Sequence, residues 1–350
     1  MLRVSKRAEL PQGRVALIRT AAVLLSLAAA AAALAAFGLN PLDIYGAIVE
    51  GAFGTGMRAR QTVIKAVPLI ITSLGILVAF KMKFWNIGGE GQIMAGAFAA
   101  AYVALYHGDL PRPLLLPLMA LAGMAMGGVW ALIPGLFKAK LGTNETIFTL
   151  MMNYIAIKFV EYLQFGPWKD PEAGGFPKIA IFPENAVLPN ILGVHAGWVV
   201  ALAAVAAVHL FMNHTKKGFE ISVVGESAET ARYAGMNITG VIVAAMLASG
   251  GLCGLTGMIQ ASAIDKTLGV GLSANYGFTA IITAWLARLN AVALLFVCVA
   301  FAVLLQGSAY IQLAMKVPAA VAGVVQGIIL FFVLGSEFFL QYKVSRKGRV

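Results

Sequence analysis

Charge is what this sequence has least of. Asp, Glu, Lys and Arg make up 12% of its 350 residues while hydrophobic types make up 60%. Mean hydropathy is +0.85, outside the range of a soluble domain. No stretch is long and polar enough to form a separate soluble domain either. A phosphate-cradling Gly-x-x-x-x-Gly-Lys-Ser/Thr loop is missing, so ATP, if it drives this protein, is hydrolysed by another chain. The two cysteines, Cys253 and Cys298, lie within apolar runs, which excludes a disulfide framework and predicts buried free thiols. The four histidines, His107, His195, His209 and His214, have no Cys or carboxylate at ligand spacing, so no metal is expected. No Ser or Cys sits in a nucleophile elbow, and covalent catalysis is not expected.

What the sequence does have is apolar runs. Ten of them lie near 20–39, 62–80, 87–106, 114–137, 146–165, 197–213, 239–261, 276–287, 291–309 and 321–340, against the ~20 residues a bilayer crossing needs. The expected fold is all-α: a polytopic transmembrane helix bundle of about ten spans, some short or broken. The net charge of +11 would suggest nucleic acid in a soluble protein, but its placement argues for a lipid bilayer as partner and against nucleic acid. Arg3, Lys6, Arg7, Arg14 and Arg19 precede the first run, and Lys343, Arg346, Lys347 and Arg349 follow the last. Both tails therefore read as cytoplasmic. Counting inward from there, Lys81 and Lys83, Lys138 and Lys140, Lys216, Lys217 and Arg232, and Arg288 all fall on inner connections. The domain reading is a basic tail 1–19, one permease domain 20–342 and a basic tail 343–350. A basic start followed by an Ala-rich run resembles a signal peptide, but the run is longer than a signal core and favours a retained span.

Polar residues inside such a chain ask for a reason, because burying them in hydrocarbon costs several kcal/mol without a partner or a cavity. The segment "KFWNIGGEGQIMAG" (83–96) has glycines at 88, 89 and 91 that weaken a helix, so the third span is expected to start or break there, with Glu90 at its positive end. In "TNETIFTLMMNYIAIKF" (143–159), Glu145, Thr149 and Asn153 recur every four residues on one helix face. That stripe reads either as a wall of a solute pathway or as interhelical glue. Gly123 and Gly127, Gly250 and Gly254, and Gly323 and Gly327 are spaced for close helix packing. Two connections are long. The outer loop 166–196 is rich in Pro and Gly and reads as a lid, a docking surface or a plain connector. The inner loop 214–238 mixes basic residues with Glu226 and Glu229 and places small residues at Ala228, Ala231, Ala234 and Gly235. A short helix with a small-residue face fits a groove on a partner protein.

"FWNIGGEGQIMAGAFAA" (84–100), "TNETIFTLMMNYIA" (143–156), "GFEISVVGESAETARYAGMN" (218–237), "SGGLCGLTGMIQ" (249–260) and "GFTAIITAWLARLN" (277–290) resemble, in order and spacing, the membrane permeases of ABC importers for nucleosides and simple sugars, within the branched-chain amino acid and ribose permease superfamily. The resemblance runs from about residue 60 onward and departs at Ala287, where relatives tend to carry glycine. It implies a multi-pass subunit of the bacterial inner membrane that is not itself an enzyme and carries no cofactor. ATP and Mg would be bound by a partner ABC ATPase. A second, non-identical permease and an outer solute-binding lipoprotein complete the implied assembly. By the same resemblance, Gly218, Gly225, Glu226, Ala228, Ala231, Arg232, Ala234 and Gly235 belong to the loop that couples to the ATPase. Candidates for the pathway of a nucleoside or sugar, or for its gating, are Phe84, Trp85, Asn86, Gly88, Gly89, Glu90, Gln92, Glu145, Thr149 and Asn153, with amides and carboxylates hydrogen-bonding the solute and Phe84 and Trp85 stacking on it. The competing readings are an ABC permease for another small polar solute, an ion-driven secondary transporter using Glu90 or Glu145, and a non-transporting scaffold.

Overall fold

The computed structural model describes residues 2–6, 11–316, 321, 323–325, 327–328, 331–332, 335–336 and 342–346. They divide into two compact units, Met1–Thr62 with Ala302–Val350, and Val63–Phe301.

In the first unit, strand β1 (Leu2–Lys6) precedes helices α1 (Gln12–Ala36) and α2 (Pro41–Phe53). Asn40 starts α2, its side chain accepting from the Leu42 amide ahead of Pro41, a residue suited to the first helical turn. Thr20–Ala36 and Pro41–Phe53 meet at 115°, so the stretch expected to be an outer connection holds a helix instead. Ala30, Leu34, Ile44, Ala47, Ile48, Ile311 and Val325 form this unit's core. Beside it Glu50 pairs with Arg58 at 3.0 Å, and the Arg58 guanidinium lies 4.1 Å from the Tyr310 ring centre.

The second unit takes in most of α3 (Gly56–Lys81), then α4 (Gly89–Tyr106), α5 (Arg112–Leu141), α6 (Glu145–Phe165), a two-residue hairpin β2 (Asn190–Ile191) and β3 (Val194–His195), α7 (Gly197–His214), α8 (Lys216–Glu226), α9 (Ala228–Tyr233), α10 (Ile238–Ile259) with a π-helical extension to Asp265, α11 (Tyr276–Leu286) and the start of α12 (Ala291–Ala314). β4 (Tyr342–Arg346), back in the first unit, pairs antiparallel with β1. Asn or Thr side chains cap the starts of α6, α8 and α10, and Asn290 does the same for α12. These caps set the helix limits where the apolar runs alone left them loose.

Among the described residues, six helices are long and apolar enough to cross a membrane, or up to seven if the bent pair is one span. This is fewer than the ten apolar runs. Helix α4 follows its run but opens with Gly, Glu, Gly and Gln, and α11 has 11 residues. Half of the last run, 321–340, lies outside the described residues.

Helices α4, α5 and α10 form the centre of this unit. Gly257 lies against Ile93 and Ala97, and Gly96 against Gly254, so α4 and α10 meet backbone to backbone. A Cβ at Gly127 would stand 2.7 Å from the Gly254 Cα. The 123/127 and 250/254 pairs are thus backbone-to-backbone contacts. The third pair is different: among the described residues nothing lies within 4 Å of where a Cβ would be at Gly323 or Gly327.

Candidate functional site

The chain leaves α3 at Lys81, turns through Lys83 at φ 56°, and runs without regular structure to Gly88 before α4 begins. This start lies inside the unit. Asn86 meets Ser249 of α10 at 3.0 Å, eleven residues past Ile238 and so about 16 Å along that helix. Buried non-helical backbone must be satisfied by protein, and side chains do it here. The Ile87 amide donates to Thr149 Oγ1 (3.2 Å), Gly88 to Asn86 Oδ1 (3.0 Å) and Gly91 to Asn153 Oδ1 (2.8 Å), while Asn153 Nδ2 donates to the Ile87 carbonyl (2.9 Å). Asn86 and Gln92 exchange side-chain hydrogen bonds at 3.2 and 3.0 Å. Asn86, Gln92, Thr149 and Asn153 are all buried.

Glu90 is 2% exposed. Its Oε1 accepts from the Gly277 amide at 2.7 Å, and Ser273 and the Phe278 backbone also hydrogen-bond the carboxylate. Gly277 and Phe278 are in the first turn of α11. One carboxylate therefore lies at the positive ends of two helices, in the first turn of α4 and capping α11. Gly89 and Gly277 allow the approach: a Cβ on Gly89 would stand 3.1 Å from the Gly277 Cα.

The expected α6 stripe divides. Thr149 and Asn153 glue α6 to the start of α4, whereas Glu145 pairs with Lys138 of α5 at 2.8 Å. Phe84 is buried and unavailable for stacking, while Trp85 is 46% exposed and packs with Phe80 and Trp285 at ring-centre distances of 5.5 and 5.6 Å. The inner connection forms α8 and α9. Gly218 fits against Phe211 and Met212, and Gly225 against Lys81 and Met82. Glu220 is held by Lys217 at 2.7 Å. Ser227 caps α9 through the Thr230 amide, and Gly235 ends it at φ 74°. Ala231 is buried, while Glu226, Ala228, Arg232, Ala234 and Gly235 are exposed; Tyr233 is 93% exposed.

Residues 59–334 match the family model described as branched-chain amino acid transport system / permease component. The chain belongs to that permease family. This permease is 36% identical to the glucose ABC transporter permease TsgB13 of Haloferax volcanii over 92% of its own length and 88% of the relative's. It is 31% identical to the guanosine ABC transporter permease NupP of Bacillus subtilis over 95% and 97%. A second Haloferax volcanii protein, the putative glucose ABC transporter permease TsgC13, matches at 24% over 65% and 69%, so permeases of this kind occur in pairs. The chain is a non-enzymatic, multi-pass subunit of an ABC transporter in the cell membrane, a class that works with ATPase and binding-protein partners. Permeases of this family typically carry no cofactor of their own.

Some residues of this permease that matter to the site were not singled out from the sequence. Ser249 joins the α4 network. Thr72 with Thr256 (3.0 Å) and Ser73 with Thr283 (2.6 Å) tie α3 to α10 and α11. Each is a hydroxyl in an apolar run, Thr72 and Ser73 side by side, the signal that would have found it. Both cysteines are buried free thiols. Among the described residues, no group of three or more His, Cys, Asp or Glu is placed to hold a metal.

The outer connection is pinned onto the end of α10. The Leu188 amide donates to Ser262 Oγ, and Thr267 Oγ1 donates to the Ile179 carbonyl. His195 is buried there with neither ring nitrogen hydrogen-bonded among the described residues. Burial holds its imidazole below the ordinary histidine range. The neutral ring's contribution is therefore full above about pH 6.5 and is lost as the pH falls through the depressed folded value. Amide protection over Asn190–His195, corrected for intrinsic exchange, is expected to drop on going from about pH 7 to about pH 5. A His195→Phe variant should remove that drop.

Proposed function

We propose that this chain moves a nucleoside or a simple sugar as one of two non-identical permeases in an ATP-driven importer. An outer lipoprotein delivers the solute, and a separate ATPase drives alternating access. The observation carrying the substrate reading is likeness along nearly the whole chain to permeases named for glucose and guanosine. In this reading α8 and α9 dock into the ATPase: Gly218 and Gly225 seat α8 on α7 and α3, while Arg232, Tyr233 and Ala234 face the partner. The segment from Phe84 to Gln92, with Thr149 and Asn153 behind it, acts as a gate hinge, because the hydrogen bonds of Asn86, Gln92 and Asn153 are already taken within the protein. Glu145 contributes by fixing α6 to α5 through Lys138, and Trp85 is the member of the segment left open to a solute.

The test is reconstitution with the ATPase, second permease and lipoprotein in liposomes. Uptake of guanosine or glucose should require ATP and survive an uncoupler; the reverse pattern would mean an ion-driven carrier. In the same system Tyr233→Ala should lower uptake and solute-stimulated ATP hydrolysis about tenfold, as the loss of an exposed aromatic anchor does at an interface. Its thermal stability should be unchanged, since the ring is 93% exposed among the described residues.

A further inference from the structure

Helix α6 has a second face that the pathway candidates do not touch. Opposite the buried side of Thr149, Met152, Asn153, Ala156 and Val160, Tyr154 (59% exposed) and Tyr162 (64%) bracket Lys158 at four-residue spacing. Lys158 Nζ pairs with Glu161 Oε2 at 2.6 Å, the two side chains 73% and 37% exposed. Glu145–Phe165 is long and apolar enough to cross a membrane. Lys158 lies seven residues before its end, about 10 Å from it at helical rise.

Charges inside a span face acyl chains only at a cost; ionisable residues in spans turn to water or to protein. A dry contact with another subunit fits poorly as well, because Lys and Glu are depleted from interface cores. We infer that Lys158 and Glu161, between Tyr154 and Tyr162, form a solute-contacting station on a water-filled pathway, and that it takes neutral, hydroxyl-rich solutes. A paired ammonium and carboxylate carry no net charge, yet offer donors and acceptors to the vicinal hydroxyls of a ribose or hexose. The flanking phenol rings offer apolar faces to a sugar or a base. The assignment rests on the importer reading above, but it concerns residues separate from the α4 hinge.

Because Cys253 and Cys298 are both buried, a single introduced thiol reports cleanly. Tyr154→Cys and Lys158→Cys are made in the importer assembled with its ATPase and second permease, and treated with a charged, water-soluble thiol reagent. Leu121→Cys on the apolar face of α5, where Leu121 is 59% exposed, is the comparison. Both α6 thiols should react and the α5 thiol should not, and guanosine or glucose, whichever the wild type transports, should slow the α6 reaction severalfold. Lys158→Met should lower uptake about tenfold, the worth of a hydrogen bond to a charged group, without loss of the assembled complex. The station is overturned if the α6 thiols are as inert as the α5 thiol, or if they react equally fast with and without a solute that the wild type takes up. If the wild type takes up neither solute, the substrate reading fails, and reactivity of the α6 thiols still decides whether this face is wet.

Discussion

Glu90→Ala is expected to cut ATP-driven uptake by an order of magnitude or more. The substitution removes the acceptor from the Gly277 amide at a site 2% exposed, leaving the first turn of α11 without its cap and with no water to replace it. An unsatisfied buried donor costs about 1–3 kcal/mol, which lowers the population of the correctly packed α4–α11 junction roughly tenfold or more. Glu90→Gln keeps an oxygen for Gly277 and should fall between Ala and wild type. Uptake with the reconstituted complex, read beside solute-free ATPase activity, separates the accounts. Wild-type rates in the Ala variant would remove Glu90 from the hinge. A Gln variant as inactive as Ala would mean that the charge is what matters, beyond the hydrogen bond.

The second large effect is steric. Gly254→Ala should strongly destabilise the protein, because the new Cβ would stand 3.0 Å from the Gly127 Cα and closer still to the Gly123 carbonyl. Those atoms are backbone and cannot rotate away. Overpacking of this kind costs about 3 kcal/mol or more when the neighbours are rigid. The expected readout is a Tm lower by several degrees in detergent and a fall in purified yield. Gly323→Ala serves as the control, since among the described residues nothing lies within 4 Å of its position, and it should behave as wild type. Equal stability of the two variants would contradict the glycine-mediated crossing of α5 and α10.

The two glycine pairs show what sequence spacing can and cannot decide. Gly123/Gly127, Gly250/Gly254 and Gly323/Gly327 read identically in the chain. The first two meet each other across α5 and α10, whereas the third faces open space among the described residues. Spacing marks a helix face with small residues; which helix comes to that face depends on packing many residues away. The same limit applied to Lys158 and Glu161. They lie in a run counted as a span, where an intramembrane charge is a readable signal, but what comes to their face of α6 is set by packing and not by spacing.

By itself the sequence determined the class of this protein. Scarcity of charge and the apolar runs made it an all-helical membrane protein, the missing phosphate loop argued against P-loop ATP hydrolysis in this chain, and the glycines around Glu90 marked a helix start or break. These follow from composition and local backbone freedom, which need no fold. Only the tertiary structure decided where that start lies and what its polar groups do. It placed Asn86, Glu90, Gln92, Thr149 and Asn153 inside the bundle and gave each a partner: Ser249 of α10 for Asn86, Gly277 of α11 for Glu90, Asn86 for Gln92, the Ile87 amide for Thr149 and Gly91 of α4 for Asn153. A buried polar group is defined by its partner, and that partner may stand 187 residues away along the chain, as Gly277 does from Glu90.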